Sequence, residues 1–252
     1  MQKSDVSASV VTHNNIDTVK NCVQSLLDNT AEVRFSLSVY DNNSTDGTVE
    51  YLKEIDSIRL VQSKTNHGFG AGHNVLLADA QSEYHAFVNP DIIVTGDTIA
   101  VLAQYLDEHP DVALVTPMLY NSNGSEQLLP RLQPKFKYLL SGRLPFLKKL
   151  RDKYTMADCK LDKPTELDFC TGCFMMGRTK QLQQAGGFDG RYFMYMEDAD
   201  LSRTMQKYGK IMLVPQAKAT HLWNRASSHK LKYLLIHISS AFKYQKKWRK
   251  CK

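Results

Sequence analysis

The sequence predicts an α/β protein, built as a mostly parallel sheet with helices on both faces. Short apolar runs alternate with segments of helical apolar spacing through the first half of the chain. The 252 residues are 42% hydrophobic and 23% charged, which is typical of one large globular domain. Asn89, Pro90 and Asp91 directly follow the apolar run 84–88, so polar groups stand where a buried strand would end. Open α/β sheets bind ligands at such strand ends.

The first half of the chain supports this fold element by element. Ile16, Val19 and Val23, for example, recur at the spacing of one helix face. The predicted strands are residues 6–12, 35–40, 58–62, 84–88 and 112–117, and the predicted helices are 16–27, 46–55, 72–80 and 99–107. This alternation favours parallel pairing, because each helix returns the chain to the same edge of the sheet.

The second half is less regular. Residues 120–167 lose the apolar period and contain four prolines, which indicates a functional or mobile insertion. Order returns with a strand over 169–176, a helix over 179–184, a helix that begins at Glu197, a strand over 211–214 and a basic helix over 230–252. We therefore divide the chain into a domain of residues 1–228 and a C-terminal basic amphipathic helix of residues 229–252.

The C-terminal helix has two interpretations. Its apolar residues approximate one stripe, and eight lysines and arginines add positive charge; the stripe consists of Leu231, Leu234, Leu235, Ile238, Phe242 and Trp248. A basic amphipathic helix is typical of proteins that bind a membrane surface. The same stripe is equally compatible with packing on the domain. The net charge of +6 also permits nucleic-acid binding, but no nucleic-acid motif is present, so we expect no such partner.

The N-terminus and the cysteines indicate the compartment. Residues 1–12 lack the pattern of a signal peptide, and no apolar run approaches the ~20 residues of a membrane-spanning helix. We therefore expect a soluble, cytoplasmic protein. Five cysteines make a secreted disulfide framework improbable. Cys170 and Cys173 have zinc or redox spacing, but no second ligand pair follows, and we expect them to pack as small apolar residues.

Polar residues follow three predicted strands and should meet in one crevice. They are Thr12, His13 and Asn14 after the first strand, Asp41 and Asn43 after the second, and Asn89 and Asp91 after the fourth. The carboxyl ends of parallel strands open on one edge of the sheet. Asp91 suits a divalent cation on a diphosphate, and Asp41 suits a base or ribose. Each also has a local explanation, since Asn-Pro-Asp forms turns and Asp41 could cap a helix.

A glycine-rich loop lies between these strand ends. Residues 66–74 include Gly68, Gly70 and Gly72, which allow the backbone to approach a ligand ahead of a helix, and the loop ends at Asn74. The spacing matches neither the P-loop nor the dinucleotide pattern, so the loop alone is a weak indication of phosphate binding.

Acidic residues mark the second half. Glu197, Asp198 and Asp200 open a helix after the aromatic run 192–195, and an apolar wall can raise a carboxyl pKa as a general base requires. The same acids could instead complement the helix dipole. His221 follows the last predicted strand, within reach of the crevice.

Taken in order, these motifs resemble glycosyltransferase family 2, especially its rhamnosyltransferase-like members. The resemblance spans residues 6 to about 228. The motifs that carry it are Val10-Val11-Thr12-His13-Asn14, Asp41-Asn42-Asn43-Ser44-Thr45-Asp46-Gly47, Asn66-His67-Gly68-Phe69-Gly70, Asn89-Pro90-Asp91, Gly186-Gly187-Phe188-Asp189 and Glu197-Asp198-Ala199-Asp200-Leu201.

The resemblance implies a GT-A fold and an inverting, metal-dependent transfer of a sugar such as rhamnose. The donor would be a dTDP- or UDP-sugar, and the acceptor a saccharide, often lipid-linked, in bacterial surface polysaccharide synthesis. By motif, Asp198 would be the catalytic base, Glu197 would contact the acceptor, and Asp91 and His221 would bind Mg²⁺ or Mn²⁺. Donor contacts would come from Thr12, His13, Asn14, Asp41, Asn43, Gly68, Asn74 and Asn89. Membrane contact, on the inner face of the cell membrane, fits a lipid-linked acceptor.

One departure and two alternatives stay open. Many relatives have Asp-x-Asp where this chain has Asn89-Pro90-Asp91, so Asn89 replaces one anionic contact with a neutral amide. A sugar-1-phosphate nucleotidyltransferase would share the fold, but its N-terminal Arg- and Lys-containing glycine loop is absent. A non-catalytic sugar-nucleotide or membrane-binding module is the other alternative, and donor hydrolysis would distinguish the transferase from both.

Overall fold

The computed structural model describes residues 4–141, 145–222 and 231–249, which form one mixed sheet with helices on both faces. The strands are β1 (Asp5–Thr12), β2 (Arg34–Asp41), β3 (Ile58–Gln62), β4 (Tyr84–Val88), β5 (Ile92–Val94), β6 (Val112–Tyr120), β7 (Thr165–Glu166), β8 (Phe174–Arg178) and β9 (Lys210–His221). The helices are α1 (Ile16–Asp28), α2 (Thr48–Lys53), α3 (Phe69–Ala78), α4 (Thr98–Glu108), α5 (Phe136–Ser141), α6 (Lys148–Thr155), α7 (Thr179–Gln184), α8 (Glu197–Met205) and α9 (Leu231–Trp248), with a 3₁₀ turn at Pro145–Leu147.

The N-terminal half of the sheet is parallel, as predicted. Among the described strands the order is β3-β2-β1-β4-β8-β6-β9-β5, and β7 pairs with β9. β1 lies between β2 and β4 and is parallel to both, with Thr12 opposite Asp41 and Val10 opposite Val88. This register brings the carboxyl ends of the three strands to one edge of the sheet.

The C-terminal half differs from the sequence-based prediction. β8 runs antiparallel to both β4 and β6, and it begins at Phe174 rather than at residue 169. β9 continues past Val214 to His221, because an irregularity in its pairing with β6 lets the strand resume. Its extension pairs with β5, which the sequence did not predict. The segment 120–167 contains α5, α6 and β7, although its sequence has no clear period.

Apolar side chains pack in two layers on opposite faces of the sheet. Tyr84, Ala86 and Val88 of β4 join the layer beneath α1 and α4, whereas Phe87 joins the layer beneath α3, α7 and α8. Successive strand residues point to opposite faces, so one short buried strand contributes to both layers. The predicted α/β class with helices on both faces is confirmed.

Helix α9 packs on the domain through one face. Ala241 and Tyr244 are buried, and Tyr244 belongs to an aromatic cluster with Tyr138, Tyr154 and Tyr192. Within the described ranges, none of the helices combines the length and apolarity that crossing a bilayer requires. The predicted domain boundary at residue 229 lies outside the described residues and stays a prediction.

Candidate active site

Two buried polar atoms lie side by side where β1 and β2 end. Asp41 Oδ2 accepts a hydrogen bond from the Ser44 N–H at 2.9 Å. Asp41 Oδ1 and Thr12 Oγ1 are buried and have no hydrogen-bond partner among the described residues. Buried polar groups are almost always bonded, so such a pair at adjacent strand ends is typical of a ligand site. Both residues were predicted from the sequence to contact the donor.

The neighbouring loops are fastened to each other. Asn14 has a left-handed backbone with φ of 54°, and its Oδ1 accepts a hydrogen bond from the Thr45 N–H at 2.8 Å. His13 Nδ1 lies 2.9 Å from the Asn42 carbonyl oxygen. Asn43, also left-handed with φ of 66°, is exposed beside Asp41. The Asn14 side chain therefore joins two loops, and donor contacts by His13, Asn14 and Asn43 stay predictions.

The glycine-rich loop approaches protein rather than leaving space for a ligand. Gly68 has φ of 91°, and a Cβ there would collide with the Phe193 carbonyl oxygen. The Asn42 side chain donates to the Gly68 carbonyl at 3.1 Å and accepts from the His67 N–H at 3.1 Å. The glycine thus permits contact between two loops, which explains its presence without a phosphate. Asn42, whose role the sequence did not reveal, holds the loop in place.

Asn74 also has a structural role that differs from its predicted one. Its Nδ2 donates to the Phe188 carbonyl at 2.7 Å, and its Oδ1 accepts from the Phe188 N–H at 2.8 Å. Both polar side-chain atoms are therefore engaged by one residue of the 186–189 turn. Each of these two atoms can still form one more hydrogen bond, so donor contact by Asn74 stays a prediction.

Asp91 and His221 meet at the centre of the edge. His221 ends β9, and its Nε2 lies 3.2 Å from Asp91 Oδ1. His221 Nδ1 lies 2.8 Å from Gln127 Oε1, which can only accept, so Nδ1 carries the proton. The other ring nitrogen, Nε2, then faces the Asp91 carboxylate. Gln127 lies in the irregular segment 120–167 and was not predicted, because its role depends on a contact with a residue 94 positions away.

Asp91 and His221 are suited to be two of the ligands of a divalent cation. Asp91 Oδ1 is buried and accepts no hydrogen bond from the described residues. An imidazole whose second nitrogen is fixed by a partner is typical of metal ligands. No group of three or more His, Cys, Asp or Glu side chains suited to a metal occurs in the described part of the chain. Asp91 and His221 could therefore hold a cation whose other ligands come from a diphosphate or water. Asn89, also predicted to contact the donor, is half-buried two residues before Asp91.

Glu197 and Asp198 begin helix α8 after a strained turn. Tyr195 and Met196 have φ of 68° and 69°, a conformation that costs energy for residues with a Cβ. Asp198 Oδ2 accepts a hydrogen bond from the Gly172 N–H at 3.0 Å, and its Oδ1 accepts from the Ala199 N–H at 2.8 Å. The turn thus places the Asp198 carboxyl group beside the segment 171–173.

The two carboxyl groups differ in their environments. Burial, together with the charge of the neighbouring Asp198, raises the pKa of Glu197 to about 8. Burial also raises the pKa of Asp198, but the N–H groups of Gly172 and Ala199 oppose this shift. Glu197 Oε2 is buried with no hydrogen-bond partner among the described residues. Because these two N–H groups favour the charged form of Asp198, a proton held by the pair favours Glu197.

The segment 171–173 connects the two acidic centres. The Cys173 carbonyl accepts a hydrogen bond from the Asn89 N–H at 2.9 Å, while Gly172 donates to Asp198. A Cβ at Gly172 would lie 3.2 Å from the Asp198 Cβ, which is tighter than an ordinary contact. Burial raises the pKa of the Cys173 thiol to about 12, so the thiol is protonated and packs as an apolar group. The sequence did not reveal this segment's role, because a backbone contact has no side-chain signature.

Asp200 links the active-site helix to the C-terminal helix. Its side chain is 2% exposed, and Oδ2 lies 2.6 Å from Lys247 Nζ. Asp200 Oδ1 accepts hydrogen bonds from Trp248 Nε1 at 2.7 Å and from the Tyr192 hydroxyl at 3.2 Å. Lys247 Nζ also lies 2.8 Å from Asp189. Helix α9 is therefore anchored one turn from Glu197 and Asp198.

Comparisons with known proteins agree with this geometry. The model of glycosyl transferase family 2 matches residues 7–186. Rhamnosyltransferase WbbL of Escherichia coli K12 is 26% identical over 244 residues, covering 93% of this chain and 90% of WbbL. The N-acetylglucosaminyl-diphospho-decaprenol L-rhamnosyltransferase of Mycobacterium tuberculosis H37Rv is 29% identical over 208 residues, covering 74% of this chain and 66% of that protein.

Solved structures share the fold at lower identity. Staphylococcus aureus TarS 1-349 with UDP-GlcNAc superposes with a TM-score of 0.65 at 18% identity, covering 92% of this chain and 64% of that one. The Pyrobaculum calidifontis mannosyltransferase PcManGT with GDP-Man and Mn²⁺ superposes with a TM-score of 0.65 at 14% identity, covering 96% and 65%. This chain thus spans about two thirds of both, and the likeness establishes the GT-A fold alone. The match over residues 7–186 is decisive for the family: the chain belongs to glycosyltransferase family 2 and is a glycosyltransferase.

Proposed function

We propose that this protein is an inverting, metal-dependent glycosyltransferase that moves L-rhamnose from a nucleoside-diphosphate donor to a lipid-linked saccharide. Both rhamnosyltransferase relatives support the sugar, and the decaprenol-linked substrate named for the mycobacterial relative supports the acceptor class. The observation that carries the proposal is the placement of three acidic centres along one edge of the sheet: Asp41, Asp91 with His221, and Asp198 with Glu197.

The donor site follows from the buried polar atoms. Asp41 Oδ1 and Thr12 Oγ1 are suited to hydrogen bonds with the nucleoside, since neither atom has a hydrogen-bond partner among the described residues. Asp91 and His221 would hold Mg²⁺ or Mn²⁺ against the diphosphate. When bound, such a cation neutralises the charge that develops on the leaving diphosphate. The PcManGT complex contains Mn²⁺, which supports this choice by analogy of fold.

The acceptor site follows from the difference between the two carboxyl groups. Asp198 is fixed by two N–H groups and stays ionised, so it is suited to remove the acceptor hydroxyl proton. Glu197 is buried and protonated, so it can donate a hydrogen bond to an acceptor oxygen. A single base is sufficient for in-line displacement, which inverts the anomeric configuration. A lipid-linked acceptor would place the enzyme at the inner face of the cell membrane.

The test separates donor binding from chemistry. Asp198→Asn should keep donor affinity near wild type while transfer falls by at least ~10²-fold, because only the general base is lost. Asp91→Asn should weaken donor binding in the presence of Mn²⁺ and abolish transfer, and His221→Ala should do so partially. The exposed Asp56→Asn is the matched control and should change neither.

The measurements are donor affinity by calorimetry and product formation from dTDP-rhamnose and several UDP-sugars. Release of nucleoside diphosphate supports the transferase. Formation of a nucleotide-sugar from a nucleoside triphosphate and a sugar phosphate would instead identify a nucleotidyltransferase. Donor binding without turnover on any acceptor would identify a binding module. Full activity in excess chelator would contradict the metal, and equal loss of donor binding and transfer in Asp198→Asn would contradict the base.

A further inference from the structure

Helix α9 has a second face that is largely exposed among the described residues. Leu235, Ile238 and Phe242 are 58%, 43% and 61% exposed and lie at helical spacing along one outward stripe. The opposite face contains the buried Ser240 and Tyr244. The stripe is therefore not needed for packing α9 on the domain, and three large apolar side chains in one row are unusual on a protein surface.

Residues of the α5–α6 segment extend this apolar row. Phe136 begins α5, is 46% exposed, and its ring centre lies 5.5 Å from that of Phe242. Phe146 lies in the 3₁₀ turn that packs against α5, and it is 79% exposed. We call Leu235, Ile238, Phe242, Phe136 and Phe146 the apolar surface. Two chain segments far apart in sequence contribute to it, which a fraying helix end would not explain.

Positive charge surrounds the apolar surface. Lys246 and Arg249 continue the same outward stripe of α9 one and two turns beyond Phe242, and they form no ion pair with the described residues. Lys135 and Lys137 flank Phe136, and the exposed Lys148 and Lys149 follow Phe146. Helix α9 contains no acidic residue. An open cleft of about 1180 Å³ lies where the apolar and basic parts meet, and it is lined by Phe136, Phe242, Arg203, Lys246, Arg249 and the single acid Asp168, among others.

The domain-facing side of helix α9 contacts the turn that precedes the proposed acceptor residues. The Ser240 hydroxyl donates to the Met194 carbonyl at 2.9 Å, and the rings of His237 and Tyr195 are 4.9 Å apart. Met194 and Tyr195 belong to the turn that leads into Glu197 and Asp198. Because the apolar stripe of α9 is on the opposite face, a flat object held against it would lie about one helix diameter, ~10 Å, from this turn.

We infer that the apolar surface and its basic rim dock the enzyme on an anionic lipid bilayer. Exposed aromatic and leucine side chains among lysines are the composition of interfacial helices, whose apolar face enters the headgroup region while cations contact phosphates. The net charge of +6 complements an anionic leaflet. The purpose of docking, delivery of a lipid-linked acceptor, rests on the proposed function. The docking itself does not, so vesicle binding can be measured without any substrate.

The experiment uses the full chain and two kinds of vesicles, pure phosphatidylcholine and an equal mixture with phosphatidylglycerol. We expect co-sedimentation with the anionic vesicles at low salt and much less with the neutral ones. Leu235→Ser combined with Phe242→Ser should lower partitioning at least ~10-fold, because buried methylene groups are lost. Lys246→Gln combined with Arg249→Gln should lower it by ~10- to 30-fold and reduce the salt dependence. Leu128→Ser, at a 54% exposed leucine elsewhere, is the control and should bind like wild type.

Further measurements keep the result interpretable. Each variant should retain the melting temperature and the transfer to a short soluble acceptor, so that loss of docking is distinct from failure of the proposed transferase. Phe242→Trp should give a blue shift of tryptophan emission on anionic vesicles beyond that of wild type. Equal sedimentation of wild type and the double variants would overturn the inference. If wild type instead self-associates without binding vesicles, and the apolar variants abolish this self-association, the surface is a protein interface. That result would also overturn the inference.

Discussion

Replacing Lys247 by methionine should destabilise the protein, because Lys247 neutralises a buried charge. Lys247 Nζ lies 2.6 Å from Asp200 and 2.8 Å from Asp189. The Asp200 side chain is 2% exposed, so its charge is poorly hydrated once the lysine is removed. Methionine has similar length and apolar volume, so Lys247→Met removes the charge with little change in packing.

The size of the effect follows from the burial of the two partners. Removing one partner of a buried ion pair costs about 3 to 5 kcal/mol when nothing replaces it. Trp248 and Tyr192 still donate hydrogen bonds to Asp200, and the Lys247 side chain is 25% exposed, so water can partly replace it. We therefore expect a loss of about 2 to 4 kcal/mol in the free energy of unfolding, which lowers the melting temperature by about 5 to 12 °C for a domain of this size.

The assay is urea and thermal denaturation of Lys247→Met beside Lys246→Met. Lys246 is the adjacent exposed lysine without an acidic partner among the described residues, so its variant should differ from wild type by less than ~0.5 kcal/mol. Adding Asp200→Asn to Lys247→Met should restore part of the lost stability, because the buried group is then neutral. Equal stability of the two lysine variants would refute the reasoning. A double variant that is less stable than Lys247→Met alone would refute it as well.

Two further predictions concern the active site. Glu197 has a folded-state pKa of about 8, above the value of 4.5 for an unperturbed carboxyl, so its contribution to stability is complete at low pH and is lost as the pH rises towards 8. Glu197→Gln should abolish this pH dependence. Between pH 5 and pH 9 the free energy of unfolding of the variant should rise by on the order of 2 to 4 kcal/mol relative to that of wild type, as measured by urea denaturation at each pH. Parallel curves of stability against pH for the two proteins would contradict a buried, protonated Glu197. Gln127→Leu should weaken Mn²⁺-dependent donor binding by ~10- to 100-fold, because the His221 tautomer is no longer fixed. Donor binding without metal should change little. An unchanged Mn²⁺ titration would show that Gln127 has no such role.

The structure assigns the residues of the C-terminal helix to two different faces. The sequence predicted a choice between packing on the domain and binding a membrane. The structure shows that Ser240, Tyr244 and Lys247 face the domain, whereas Leu235 and Phe242 face away from it. Truncation of residues 243–252 would remove Lys247 and Trp248 together with the basic rim. Point variants on the outward face are therefore the appropriate test of docking.

Sequence was sufficient where one short segment carried the whole signal. The strands β3 and β4 and the helix α7 begin and end at the predicted residues, because a short apolar or β-branched run between turn residues is a local pattern. The polar residues at the ends of β1, β2 and β4 were located for the same reason. Once β1, β2 and β4 are parallel, their carboxyl ends must share an edge, where Thr12, Asp41 and Asp91 lie.

The sequence by itself therefore determined the fold class, the family resemblance and the strand ends that carry the candidate acids. Only the tertiary structure shows which polar atoms bond to other residues and which have no hydrogen-bond partner among the described residues. The amide of Asn74 bonds to the backbone of Phe188, and Lys247 and Trp248 bond to the buried Asp200; the sequence predicted neither contact. A hydrogen bond between residues tens of positions apart depends on distances that no local pattern encodes. The roles of Gln127, Gly172 and Lys247 emerge only when the folded chain brings their partners within reach.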